Sequence, residues 1–208
     1  MPSEEIQRKA RLISPLTLKL LFKNQTFRFA VVLNTQYSNL ISKKQMKKIG
    51  LISDTHGYLD DAVFKYFDDR DEIWHAGDFG PDVIEPLAAF KPLIGVYGNI
   101  DSADIRAQFP EHNRFSCEGL DVWMTHIGGY PDRYAPSVKR EIYTKPPQLF
   151  ISGHSHILKV VFDKKIQCLH INPGAAGKHG WHKKRTLIRF CISEEKIHTL
   201  EAIELGDR

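Results

Sequence analysis

Cysteine is scarce in this 208-residue chain, and its three copies, Cys117, Cys168 and Cys191, form no C-x-x-C pair. An odd count at wide spacing argues for a reducing compartment, with the thiols buried in strands. Also missing is any stretch near the roughly 20 apolar residues that span a bilayer, so a soluble, cytoplasmic protein without a membrane partner is expected. No internal repeat or low-complexity tract appears. A basic surface is lacking too, although the net charge of +4 suggests one. Residues 1–45 hold eight basic residues (Arg8, Lys9, Arg11, Lys19, Lys23, Arg28, Lys43 and Lys44) against Glu4 and Glu5. The remaining 163 residues therefore carry 21 basic and 23 acidic side chains, a net of −2. A sequence-independent nucleic-acid surface wants a basic domain face, which argues against a nucleic-acid partner and a nuclease role.

The length suits one domain with a full core. Met46 directly precedes the first apolar run, so residues 46–208 are expected to form the domain. Residues 1–45 are read as an upstream extension of the reading frame, with a targeting peptide or an added helix and strand as alternatives. From Met46 onward strand and helix patterns alternate. Strands are expected at Ile49–Ser53, Ile73–Trp74 and Leu93–Val96, and helices at Leu59–Phe67 and Val83–Phe90. Later segments read as consecutive strands: Arg114–Cys117, Val122–Thr125, Leu149–Ser152, Leu158–Phe162, Ile166–Ile171, Thr186–Ile192 and Ile197–Ile203. One longer helix is expected at Pro136–Tyr143. Alternating α/β units followed by strand runs point to two packed sheets with helices outside.

Seven metal-ligand-type side chains each end or follow one of the expected strands: Asp54, His56, Asp78, Asn99, His126, His154 and His156. Three carboxylate or amide oxygens and four imidazoles suit a pair of borderline divalent ions: manganese first, with nickel, iron or zinc as alternatives. Taken singly, each residue has a plainer reading. Asp54 is compatible with a helix cap, Asn99 after Gly98 with a turn, and His126 with a strand-end histidine. His154 and His156 alternate, so a regular strand would point them apart. Both reach one centre only if the Gly153 turn breaks the strand. Gly77, Gly98 and Gly153 each precede a ligand candidate, where a side chain would crowd the site.

The phrases Leu51-Ile-Ser-Asp-Thr-His-Gly57, His75-Ala-Gly-Asp78, Val96-Tyr-Gly-Asn99, Gly153-His-Ser-His156 and Ile171-Asn-Pro-Gly174 carry a resemblance. In this order they look like the calcineurin-like metallophosphoesterases, and are most similar to the small single-domain prokaryotic phosphodiesterases. The resemblance implies a four-layer α/β/β/α sandwich of two mixed β-sheets flanked by helices. It implies Asp54, His56 and His156 on a first ion, Asn99, His126 and His154 on a second, and Asp78 bridging. It further implies that a metal-bridging hydroxide attacks phosphorus, with Asp78, Asn99, His126 and Asp101 as the catalytic group. The expected activity is hydrolysis of small phosphodiesters or nucleotides. The alternatives are a phosphomonoesterase or pyrophosphohydrolase, and a non-catalytic scaffold of the same fold such as the eukaryotic retromer subunit. A homo-oligomer is left open.

Two departures matter. Many relatives carry a histidine after Gly-Asn, credited with protonating the leaving group, whereas this chain has Ile100 followed by Asp101. Good leaving groups such as aryl alcohols are then favoured; Asp101 is read as a weak acid, an orienting group or a loop carboxylate. Many relatives also read His-Gly-His where this chain has His126-Ile127-Gly128, so that position stays empty in the ligand set. The loop Gly128–Ser137, with Tyr130, Arg133 and Tyr134, is the expected substrate wall. His75 is expected to support a ligand from behind, and Asn172-Pro173-Gly174 to hold a loop. The basic cluster Lys178, His179, His182, Lys183, Lys184 and Arg185 is read as a solvated face.

Overall fold

The computed structural model describes residues 46–208; the expectations for residues 1–45 lie outside the described residues. Strand β1 (Lys47–Ile52) lies parallel to β2 (Glu72–His75), with Leu51 opposite Trp74 and Ile52 opposite His75. Strand β3 (Leu93–Gly95) continues the parallel set. Helices α1 (Asp61–Phe67) and α2 (Ile84–Phe90) make the two crossovers. Parallel strands joined by helices leave their following loops at one edge of the sheet. The segments after β1, β2 and β3, which carry Asp54, His56, Asp78 and Asn99, therefore gather there.

A second sheet holds β4 (His112–Cys117), β5 (Leu120–Thr125), β8 (Leu149–Ile151), β9 (Leu158–Asp163) and β10 (Cys168–Pro173), in the order β4-β5-β8-β10-β9. Strands β5, β8 and β10 are mutually parallel, so His126 and the segment 153–156 again leave from like ends. Between β5 and β8 lie a short hairpin, β6 (Gly129–Tyr130) with β7 (Arg133–Tyr134), and a helix at Pro136–Thr144. Strands β11 (Lys184–Ser193) and β12 (Lys196–Asp207) return to the first sheet, giving the order β12-β11-β1-β2-β3.

Alternate residues of each strand face opposite sides, and both faces are used. Ile49, Leu51, Trp74 and Val96 meet Val122, Met124, Leu149, Ile151 and Ile171 between the sheets. On the outer face of the first sheet, Ile52 and Ile73 pack on Val63 and Phe67 of α1 and on Leu87 of α2. On the outer face of the second, Trp123 and Phe150 pack on Val138 and Ile142 of the helix Pro136–Thr144. The result is two mixed sheets face to face with helices outside, the expected four layers.

Some details differ from the sequence reading. The first helix starts at Asp61 rather than Leu59, because Asp60 caps it: its side chain accepts the Ala62 N–H at 2.9 Å. Strand β10 starts at Cys168 rather than Ile166, which sits in the turn after β9. A further helix, α3 (Ala103–Gln108), was not foreseen; its six residues bury only Ile105, too few to show a helical period. With α3 counted, Pro136–Thr144 is α4. All three thiols are free and buried.

Candidate metal centre

The loops after β1 and β2 run side by side, extending the strand ladder beyond the strands. Asp54 N–H donates to Gly77 O, His56 N–H to Asp78 O and Gly57 N–H to Phe79 O, at 3.0, 3.1 and 2.8 Å. This pairing sets Asp54, His56 and Asp78 at one place. Asp54, His56, Asp78, His154 and His156 all have φ between 49° and 65°. Left-handed backbone at a non-glycine residue is uncommon, though less so for Asp and His, and such strain concentrates at functional sites. It also re-aims side chains. Strand β8 ends at Ile151, and the two left-handed residues after Gly153 let His154 and His156 enter the same centre.

Six of the seven expected ligands fall into two adjoining groups, Asp54 with His56 and His156, and Asp78 with His126 and His154. In the first, His156 Nε2 lies 3.1 Å and His56 Nε2 4.0 Å from Asp54 Oδ1. In the second, His126 Nε2 lies 3.2 Å from Asp78 Oδ2. The groups touch: His56 Nε2 is 3.7 Å from Asp78 Oδ2, and His126 Nε2 is 3.9 Å from Asp54 Oδ1. Asn99, the seventh, is exposed in the turn between Gly98 and Ile100. That turn wraps Asp78, since Ile100 N–H donates to Asp78 Oδ1 at 3.0 Å. A Cβ on Gly98 would run into the same carboxylate, and one on Gly77 would lie 2.6 Å from the His126 ring.

The donor chemistry fits divalent cations. Asp54 Oδ1 and His126 Nε2 are buried with no hydrogen-bond partner among the described residues. Leaving such groups unmet costs on the order of 1–3 kcal/mol each. The Nε2 atoms of His56 and His156 face each other at 3.2 Å, an approach that a shared cation would stabilise. His126 Nδ1–H donates to Ala76 O at 2.8 Å, which leaves its Nε2 lone pair turned to the centre. Burial lowers the imidazoles of His56 and His154, keeping them neutral and able to ligate. For Asp78, burial alone would raise the carboxyl, but the imidazoles of His126 and His56 and the Ile100 N–H hold it below its ordinary value.

Supporting residues sort differently from expectation. His75 is fully buried and stacked on Phe79 at 3.7 Å. Its Nδ1 accepts the Gly77 N–H at 3.2 Å and its Nε2 meets Thr55 Oγ1 at 2.9 Å. Burial pushes its pKa down to about 3. It thus holds the backbone beside Asp54 and Asp78 and bonds to no ligand side chain. Both Asp101 oxygens are taken, by the N–H groups of Gly80 at 3.0 Å and Gly98 at 2.7 Å. Asn172 Nδ2 donates to Gly153 O and Ser155 Oγ at 2.7 and 3.1 Å, holding the loop that carries His154 and His156.

The expected wall and basic cluster both divide. Tyr134 is buried, with its hydroxyl donating to Asp163 at 2.9 Å, so it belongs to the core rather than to a wall. Tyr130 is half-buried with Lys159 Nζ 3.7 Å from its ring centre, and Arg133 is exposed. In the basic cluster, Arg185 is buried and paired to Asp60, while Lys184 pairs with Glu204 and Asp207. Lys178, His179 and Lys183 are exposed, as expected of a solvated face, but the rings of His179 and half-buried His182 also lie 4.8 Å from His56 and 5.3 Å from His156. Their signal in the sequence was two histidines among glycines just after Asn172-Pro173-Gly174.

Residues 46–195 match the calcineurin-like phosphoesterase superfamily domain. The chain belongs to that superfamily. Within it, the chain is 32% identical over 114 residues to a probable metallophosphoesterase of Methanothermobacter thermautotrophicus. That match covers 52% of this chain and 66% of the relative, just under two thirds of its length. Among solved structures, a novel archaeal phosphodiesterase superposes with a TM-score of 0.61 at 23% identity, over 76% of this chain and 99% of that one. Chaetomium thermophilum Vps29 gives 0.58 at 14% identity, over 77% and 99%. These structural likenesses establish a calcineurin-like phosphoesterase fold. Its two adjoining donor groups are candidate sites for divalent metals.

Proposed function

We propose that this chain is a dinuclear metal-dependent phosphodiesterase of the cytoplasm, acting on small phosphodiesters or nucleotides. The observation that carries this reading is the pair of touching donor groups with Asp54 Oδ1 and His126 Nε2 buried and unmet. Asp54, His56 and His156 would hold one ion, and Asn99, His126 and His154 the other, with Asp78 between them. Two bound divalent ions would supply Lewis acidity, lowering the pKa of a water and neutralising charge on the phosphoryl oxygens. The chain's own residues do the remaining work. The left-handed backbone at five of the seven positions aims the donors inward. The hydrogen bond from His126 Nδ1–H to Ala76 O orients its ring, with Nε2 toward the centre. Asp101, with both oxygens taken by backbone, acts as a positioning residue for the Gly98 turn rather than as an acid. No histidine follows Asn99, so esters with good leaving groups are favoured. The fold neighbour described as an archaeal phosphodiesterase supports the diester over the monoester.

Metal-stripped protein given manganese, nickel, zinc or magnesium should hydrolyse bis-p-nitrophenyl phosphate faster than p-nitrophenyl phosphate. Asp78→Asn should cut that turnover by at least about 1,000-fold, since metal charge stabilisation supplies several kcal/mol of the barrier. A preference for the monoester would make the chain a phosphomonoesterase. Two bound ions with no turnover of either ester would point to the scaffold reading.

A further inference from the structure

Trp181 is 99% exposed, the most exposed large apolar side chain among the described residues. Single exposed apolar residues are ordinary on a surface, but an indole that touches almost nothing in its own chain is not ordinary in this position. Both of its neighbours are fixed to the first donor group. Gly180 has φ +117°, and a Cβ there would run into His156 Nδ1. His182 stands with its ring 5.3 Å from that of His156 and its Nε2 3.0 Å from Gly177 O. Gly177 N–H in turn donates to Asp54 O at 3.1 Å. The segment 177–182 therefore lies against the centre at Gly177, His179 and His182, and the Arg208 guanidinium meets Gly180 O. Trp181 stands on that fixed turn, one residue from atoms that touch a ligand candidate, with its whole face presented outward.

Around it the charge is positive. Exposed Lys178 lies 4.3 Å over the Tyr58 ring, two residues from His56, and Lys183 follows in the chain. A centre that would bind phosphate through its metal ions, beside an exposed aromatic side chain with cations at the rim, matches one kind of small molecule: a phosphate joined through a sugar to a planar base.

We infer that Trp181 is a specificity-determining residue, the platform on which the base of a nucleotide substrate stacks while its phosphate occupies the metal centre. This rests on the phosphoesterase reading and names its substrate class. The net acidic domain argues against a long nucleic-acid groove, which favours a nucleotide or dinucleotide over a polymer.

The decisive measurement compares two probes that differ only in the base. Adenosine 5′-monophosphate and ribose 5-phosphate are titrated calorimetrically into manganese-loaded full-length protein, wild type, Trp181→Ala and Trp181→Phe. Stacking of a base on an aromatic platform predicts that Trp181→Ala weakens the nucleotide by about 5-fold to 150-fold. Ribose 5-phosphate should be unchanged, and Trp181→Phe should keep most of the nucleotide affinity. Metal content must stay equal across the three proteins, which excludes a collapsed site. Equal losses for both probes, no loss for either, or a wild type that binds the two alike or binds neither would overturn the proposal. Hydrolysis of bis-p-nitrophenyl phosphate, run beside the titrations, tests the phosphoesterase reading separately. Absent turnover with base-dependent binding intact would sink that reading and leave a nucleotide-binding surface.

Discussion

The two donor groups have nearly the same chemistry but are held in different ways. In the second, Asp78 and His126 are buried, and backbone fixes each: Ile100 N–H to Asp78 and Ala76 O to His126. In the first, only Asp54 is buried; His56 and His156 are half-open and lean on the late segment 177–182. The second group takes Asp78 and His126 from strand ends of the core and exposed His154 from the loop it shares with His156, whereas the first is also covered by the late segment. Asp78 and His126 are thus held by backbone near the strands, whereas the first group leans on a segment far away in sequence.

Two glycines allow the whole centre and the loop-borne half to be broken separately. Gly98→Ala would drive a methyl into the Asp78 carboxylate, which adjoins both groups. Turnover should fall by about 100-fold and both ions should be lost on dialysis. Gly180→Ala puts a methyl into His156 and forces a residue with a Cβ to φ +117°. Only the loop-borne half should fail, with metal falling from two ions per chain toward one and turnover falling about 10-fold to 100-fold. Mass-spectrometric metal counts decide between them. If Gly180→Ala keeps two ions, the late loop does not support the first group.

Asp101→Asn gives a smaller effect and sharpens the account of the strand-built half. The amide can accept from only one of Gly80 and Gly98, leaving a buried N–H unmet at a cost of about 1–3 kcal/mol. A positioning role predicts the same fractional loss of kcat for aryl and alkyl esters. A loss that grows as the leaving group worsens would instead mark Asp101 as the proton donor.

The strand-built half was the legible one. Asp78 and His126 end apolar runs whose hydrophobicity gives the strands away, and the D-x-H, G-D and G-H-x-H spacings carry the loops. The four layers followed from the same pattern, because each strand's two faces are covered by different partners. The sequence reading did not reach the third dimension of the late segment. His179 and His182 sit in a polar, basic stretch with no period, so composition pointed to solvent. Only the hydrogen bonds of Ala176 and Gly177 to Ser53 and Asp54 bring that stretch to the centre. Tyr134 was expected in the wall for a related reason. A polar side chain looks the same in sequence whether it faces a substrate or a buried backbone donor.

The last expected effect concerns stability rather than turnover, and lies behind the loop that carries His154 and His156. His170 is buried, with Nε2 3.1 Å from Ser152 Oγ, whose hydroxyl donates to Gly129 O at 3.2 Å. Its Nδ1 is buried without a partner. Burial, aided by the nearby Lys159 charge, lowers its pKa from 6.5 to about 4. The unfolded chain therefore binds a proton in this window that the folded chain refuses. The stability linked to His170 is complete above pH 6.5 and is lost as the pH falls from there through about 4. The total is about 3 kcal/mol, at about 1.4 kcal/mol per pH unit. His170→Gln keeps a donor for Ser152 and removes the titration. Urea midpoints from pH 7 to pH 4 should then fall less steeply for the variant, by close to one proton's slope. Parallel slopes would mean that His170 takes up its proton without unfolding.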